Sequence, residues 1–209
     1  MAGIARFIVF EGGEGAGKST QVRLLADALA ARRIPCIVTR EPGGTQGAEA
    51  IRDLLLHPPG EGWGAEAEAL LFAAARADHV ARLIRPALAQ GSWVLCDRFV
   101  DSSRAYQGAG GALGDARVQA LHAIGSGGLL PDLTLVLDAD PSQVASRLAA
   151  RDGDRSDAIG GRDAAYHARV NSAFLGFADA EPARFAVIDG DGTAEEVHAR
   201  ILARLEPLC

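Results

Sequence analysis

Five short apolar runs, at 6–10, 35–39, 93–96, 133–137 and 185–188, are continuous and rich in β-branched residues, the pattern of strands covered on both faces. Between them apolar positions recur at helical spacing. Val22, Leu25, Ala26 and Leu29 form one stripe, and Leu70, Leu71, Ala74 and Ala75 open a long helix that runs towards Ala89 and should bend near Pro86. Asp140 and Pro141 supply an N-cap and a first-turn proline for another helix, and Thr193-Ala194-Glu195-Glu196 is a capping box for the last. This alternation predicts an α/β fold: a doubly wound, five-stranded parallel sheet flanked by helices. Two loops interrupt it. Residues 57–64 read as a plain Pro- and Gly-rich connection, whereas 151–161, with Arg151, Arg155, three Asp and three Gly, reads as a charged lid.

Composition narrows the class. At 209 residues, 48% apolar and 23% charged, residues 1–209 are expected to form one domain with a substantial core. A net charge of −6 lacks the basic footprint of a nucleic-acid binder, so any anionic ligand must be held by local cations. Cys36, Cys96 and Cys209 are too scattered for a disulfide framework or a zinc site, and Cys36 and Cys96 are expected to be buried thiols. No apolar run reaches the ~18 residues of a membrane span, and the early chain enters a strand without a signal-peptide pattern. A cytoplasmic protein without a membrane partner is expected.

Gly12-Gly13-Glu14-Gly15-Ala16-Gly17-Lys18-Ser19-Thr20 follows the first apolar run and precedes the first helical stripe. The spacing is that of a phosphate-binding P-loop. Its glycines let backbone N–H groups turn towards oxyanions, Lys18 reaches the β- and γ-phosphates of a nucleotide such as ATP, and the Ser19 hydroxyl ligates Mg²⁺. Lys18 is the chain's single lysine; the other twenty basic residues are arginines.

The arginines choose among P-loop functions. Arg40 follows the second strand and Asp97-Arg98 the third, which places all three at the carboxyl edge of the sheet, where ligands of open α/β sheets bind. Asp97 stands where an acid holds Mg²⁺ directly or through water. Arg40 and Arg98 make a second anion site facing the first. Arg147, Arg151 and Arg155 recur every four residues; Arg147 is as well explained by a solvated face, while Arg151 and Arg155 fall in the lid, the source expected for a catalytic arginine. A phosphate acceptor is already a nucleophilic anion, so no general base is required. The five histidines lie away from these motifs and are assigned no role. A nucleotide-dependent switch needs only one anion pocket, so the second one favours a kinase.

With Phe10-Glu11-Gly12, Thr39-Arg40-Glu41-Pro42-Gly43-Gly44-Thr45, Leu71-Phe72-Ala73-Ala74-Ala75-Arg76, Asp97-Arg98-Phe99, Ser102-Ser103-Arg104-Ala105-Tyr106-Gln107-Gly108 and Pro131-Asp132-Leu133 in this order, the chain resembles the bacterial thymidylate kinase family over essentially its whole length. The resemblance implies a nucleoside monophosphate kinase fold, a homodimer, and transfer of the ATP γ-phosphate to dTMP. It implies that Phe72 stacks on thymine and Arg76 donates to a base carbonyl. Ser103 and Gln107 would lie near the base edge, Ser102 would be among the residues binding dTMP, and Tyr106 would lie against the deoxyribose. Arg40 and Arg98 would bind the dTMP phosphate, with Glu14 near the sugar 3′-hydroxyl or the metal shell. Gly15 and Ala16 stand where one subtype carries a P-loop arginine, which implies the subtype that supplies it from the lid. Phe99 and Ser103 depart from the Tyr or His and the Asn common there, and the lid is slightly longer. A kinase for a different nucleoside monophosphate is the nearest rival; Phe72, Arg76 and Tyr106 separate the two.

Overall fold

A computed structural model describes residues 4–140, 142–144, 147 and 164–206. Five parallel strands, β1 (Phe7–Glu11), β2 (Cys36–Arg40), β3 (Trp93–Asp97), β4 (Leu133–Asp138) and β5 (Phe185–Asp189), stand in the order β2-β3-β1-β4-β5. Among them run α1 (Lys18–Ala31), α2 (Gln46–Leu56), α3 (Ala65–His79), α4 (Arg85–Ala89), the short α5 (Val100–Ser103), α6 (Asp115–Ser126), α7 (Ala164–Ala180) and α8 (Ala194–Leu205). The sheet is doubly wound, as expected. Ile8 and Phe10 of β1 pack with Val22, Leu25 and Leu29 of α1 and Ile201 of α8. Phe7 and Val9, pointing to the opposite face, meet Val80, Ile84 and Phe99.

Each strand runs one residue past its apolar run, onto a charged residue: Glu11, Arg40, Asp97, Asp138 and Asp189. The apolar pattern stops there, but ladder pairing continues, with Phe10 and Arg40 both in register with Asp97. Cys96 is buried, while Cys36 on the edge strand β2 is half-buried; both are free thiols.

The long helix does not simply bend at Pro86. It widens into a π-helical turn, Val80–Ile84, just before α4. Proline lacks an N–H and its ring crowds the carbonyl four residues back, so a wider turn relieves both. A second π-helical stretch, Arg104–Gly110, carries Tyr106 and Gln107. It is held by Asp101, fully buried, which accepts hydrogen bonds from Arg104 and Arg184. Thr193 and Glu196 form the expected capping box, and the Asp140 carboxylate accepts the Ser142 N–H. No helix among the described residues is long and apolar enough to cross a membrane.

Candidate active site

β1 delivers the chain into the P-loop. Gly12 has φ 130°, and a Cβ there would lie 2.5 Å from the Leu137 carbonyl oxygen, so only glycine fits the crossing. The Lys18 ammonium folds back to donate to the carbonyl oxygens of Gly12 (3.1 Å) and Gly13 (2.6 Å). Burial, helped by the Arg98 charge, lowers its pKa to about 7 against the pull of Asp97, Glu11 and Glu14. The Ser19 hydroxyl donates to Asp97 Oδ2 at 2.6 Å. A cavity of about 500 Å³ opens here, lined by Glu14, Gly15, Gly17, Lys18, Ser19 and Thr20 of the loop and by Arg40, Asp97, Arg98 and Arg147 from across it. Arg147, read as equally consistent with a solvated face, instead donates to the Gly190 carbonyl at 3.2 Å and joins this wall.

A second cavity, of about 110 Å³, lies beside the first. Phe72 and Arg76 enter it from one face of α3, and Arg98, Ser102, Ser103, Tyr106 and Gln107 from the segment after β3. The two cavities share Glu14, Glu41, Arg52 and Arg98 as walls. Arg98 holds a left-handed backbone, φ 69°, which is uncommon for a side-chain-bearing residue. Its Nη1 donates to the Gly12 carbonyl (3.3 Å) and the Ser102 hydroxyl (3.2 Å), and its guanidinium lies 5.0 Å from the Tyr106 ring centre. Gln107 donates to Glu68 at 2.9 Å.

Of the residues expected to meet a second substrate, Glu14, Phe72, Arg76, Arg98, Ser102, Ser103, Tyr106 and Gln107 converge. Arg40 does not line this second cavity. It stands on the rim of the phosphate cavity, half-exposed, with its Nη2 on both oxygens of Glu49 at 3.0 and 3.1 Å. Arg151 and Arg155 lie outside the described residues.

Residues 10–201 match the family model described as thymidylate kinase. The chain belongs to the thymidylate kinase family. It is 55% identical to a thymidylate kinase of Rhizorhabdus wittichii, covering 97% of this chain and 98% of that one, and 50% identical to one of Nitrobacter winogradskyi, covering 96% and 87%. The fold matches the crystal structure of thymidylate kinase from Ehrlichia chaffeensis with a TM-score of 0.78, at 31% identity over 97% of this chain and 99% of that one. The thymidylate kinase family phosphorylates dTMP to dTDP with ATP.

Four residues of this thymidylate kinase-family site escaped the sequence reading as functional. Glu11, fully buried, accepts the backbone N–H groups of Phe99 and Ser102, each at 2.9 Å, and the Ser102 hydroxyl. Glu41 and His79 lie behind Arg76. His79 lines neither cavity, yet it does not lie away from the motifs as expected: helical spacing from Arg76 brings it beneath the same wall, against Thr39 and Glu41. Arg52 stands between the cavities and donates to the Pro42 carbonyl at 2.8 Å. The signal for Glu11 was present: a carboxylate at the end of a wholly apolar strand needs buried partners.

Proposed function

We propose that this chain carries out the family reaction by direct in-line transfer of the ATP γ-phosphoryl group to the phosphate of dTMP, as one kinase domain spanning 1–209 with 151–161 as its lid. One observation carries the reading: a phosphate cavity and a base-sized cavity meet at Arg98, so two polyanions can face each other across a fixed cation. Gly12, Gly13, Glu14, Gly15, Ala16, Gly17, Lys18, Ser19 and Thr20 hold ATP. Arg98, with Arg40 from the rim, takes the acceptor phosphate. Phe72 stacks on the base, Arg76 donates to its carbonyl, Ser103 and Gln107 complete that end, and Ser102 supports Arg98 at the phosphate end. Tyr106 fills the space of a 2′-hydroxyl, and Glu14 faces the 3′-hydroxyl.

The acceptor oxygen needs no base. The work is to align it with the γ-phosphorus and to offset charge repulsion, which preorganised cations do without reorganisation. Two oxygen donors, Ser19 and Asp97, sit in hydrogen-bond contact at the P-loop cavity, a donor set that suits Mg²⁺. When bound, Mg²⁺ neutralises phosphate charge. Arg151 and Arg155 would bring the last positive charge to the transferring group. A homodimer and a cytoplasmic setting belong to the same reading. Leu70 and Ile124, 55% and 85% exposed on the packed helices α3 and α6, favour that dimer face.

A coupled ADP-release assay across dTMP, dUMP, UMP, CMP, AMP and GMP tests the proposal. Preference for dTMP is expected; equal turnover of a ribonucleotide overturns it. Sedimentation showing a monomer at micromolar concentration removes the dimer.

A further inference from the structure

Thr39, Glu41 and His79 form a buried chain that ends on Arg76. Glu41 Oε2 accepts from Arg76 Nε at 2.7 Å, and Oε1 pairs with His79 Nδ1 at 3.0 Å. A carboxylate oxygen offers Nδ1 an acceptor, so the ring proton on that side belongs to Nδ1, and Nε2 meets the Thr39 hydroxyl at 2.7 Å. His79 is 0% and Arg76 3% exposed. Gly44, with φ +89°, closes over the chain: a Cβ there would overlap Thr39 Oγ1 and His79 Nε2.

If the need were only to satisfy a buried carboxylate, a two-pronged pair with Arg76 would do. The structure divides the carboxylate instead. His79 takes one oxygen, so Glu41 grips Arg76 at Nε alone, and Nη2 goes to the Ser103 hydroxyl (2.8 Å) and the Phe99 carbonyl (3.3 Å). Nη1 is left without a hydrogen bond among the described residues, on an arginine that lines the second cavity.

We propose that His79 and Glu41 are positioning residues for acceptor-base selection. They hold Arg76 so that one N–H group is kept for the ligand. A guanidinium is donor-only, so held this way it accepts a base edge bearing an oxygen and rejects one bearing an amino group. The inference rests on reading the second cavity as the base pocket.

The test compares kcat/KM for dTMP and for 5-methyl-dCMP, which differ only along that pyrimidine edge. His79→Ala should lower the ratio about tenfold, mainly through KM for dTMP, as expected for a misdirected charged hydrogen bond. His79→Asn, whose amide can donate to Glu41 from the Nδ1 position, should recover most of the ratio. A His79→Ala variant that loses thermal stability but keeps the ratio overturns the positioning role and leaves the pocket reading intact. If Arg76→Ala also keeps the ratio, the pocket reading falls and the inference with it. Should His79→Ala fail to fold, Thr39→Val, which removes one hydroxyl at constant shape, carries the test: a several-fold drop supports the inference and an unchanged ratio refutes it.

Discussion

The Glu11 carboxylate accepts the Ser102 hydroxyl at 2.6 Å, and the same hydroxyl accepts Nη1 of Arg98. A buried acid at the end of β1 thus sets the arginine that stands between the two cavities. Ser102→Ala removes the link without emptying much volume. KM for dTMP should rise about tenfold with kcat less affected, since a hydrogen bond to a charged group is lost. Unchanged steady-state kinetics would separate Arg98 from Glu11.

Glu11 also gives a pH signature. Burial raises its pKa from 4.5 to about 7, opposed by the Arg98 charge and aided by Asp101. The folded value lies above the unfolded one, so this group's contribution is full below about 4.5 and is lost as pH rises to about 7. Urea unfolding across that window should show a downward stability slope that flattens in Glu11→Gln. Equal slopes in the two proteins would contradict it.

Lys18 titrates in the opposite sense. Its pKa of about 7 means that the free enzyme holds it mostly neutral at pH 8, and the phosphates of ATP restore the proton. ATP binding at pH 8 should therefore take up on the order of one proton, and at pH 6 close to none. Calorimetry in buffers of different ionisation enthalpy reads this directly. An enthalpy independent of buffer at pH 8 would sink the prediction.

Gly12 and Gly17 separate steric from conformational need. Both have positive φ, but a Cβ on Gly12 meets the Leu137 carbonyl while one on Gly17 meets nothing within 4 Å. Gly12→Ala should cost more than about 2 kcal/mol, and Gly17→Ala about 1 kcal/mol from backbone strain alone. Denaturant midpoints check the order.

For the lid, Arg151→Ala and Arg155→Ala should each lower kcat far more than they raise KM for dTMP, as loss of a transition-state contact does. The reverse pattern in stopped-time assays would move those arginines to ground-state binding.

Sheet, winding and P-loop were legible in the sequence because each rests on local periodicity or fixed spacing. That Phe72, Arg76, Ser103 and Tyr106 share one cavity was legible only through resemblance: nothing in the spacing of Phe72 alone distinguishes a cavity wall from core. What escaped were groups whose importance arises from contact at long sequence separation. Glu11 meets Phe99 and Ser102, and Glu41 meets Arg76 and His79, pairs that no periodicity links. Arg40 was placed by strand position alone, which gives the edge of the sheet but not the competing pull of Glu49 one helix turn into α2.

The charged residue that ends each strand also guards alignment. A strand slipped by one residue would carry Glu11, Arg40 or Asp97 inward, away from the partners that make each tolerable. Misregistered pairings are thereby penalised at the same points where the nucleotide is to be held. An assembled phosphate site is for this sheet a certificate of correct register, and a chain that binds nucleotide has by that fact paired its strands properly.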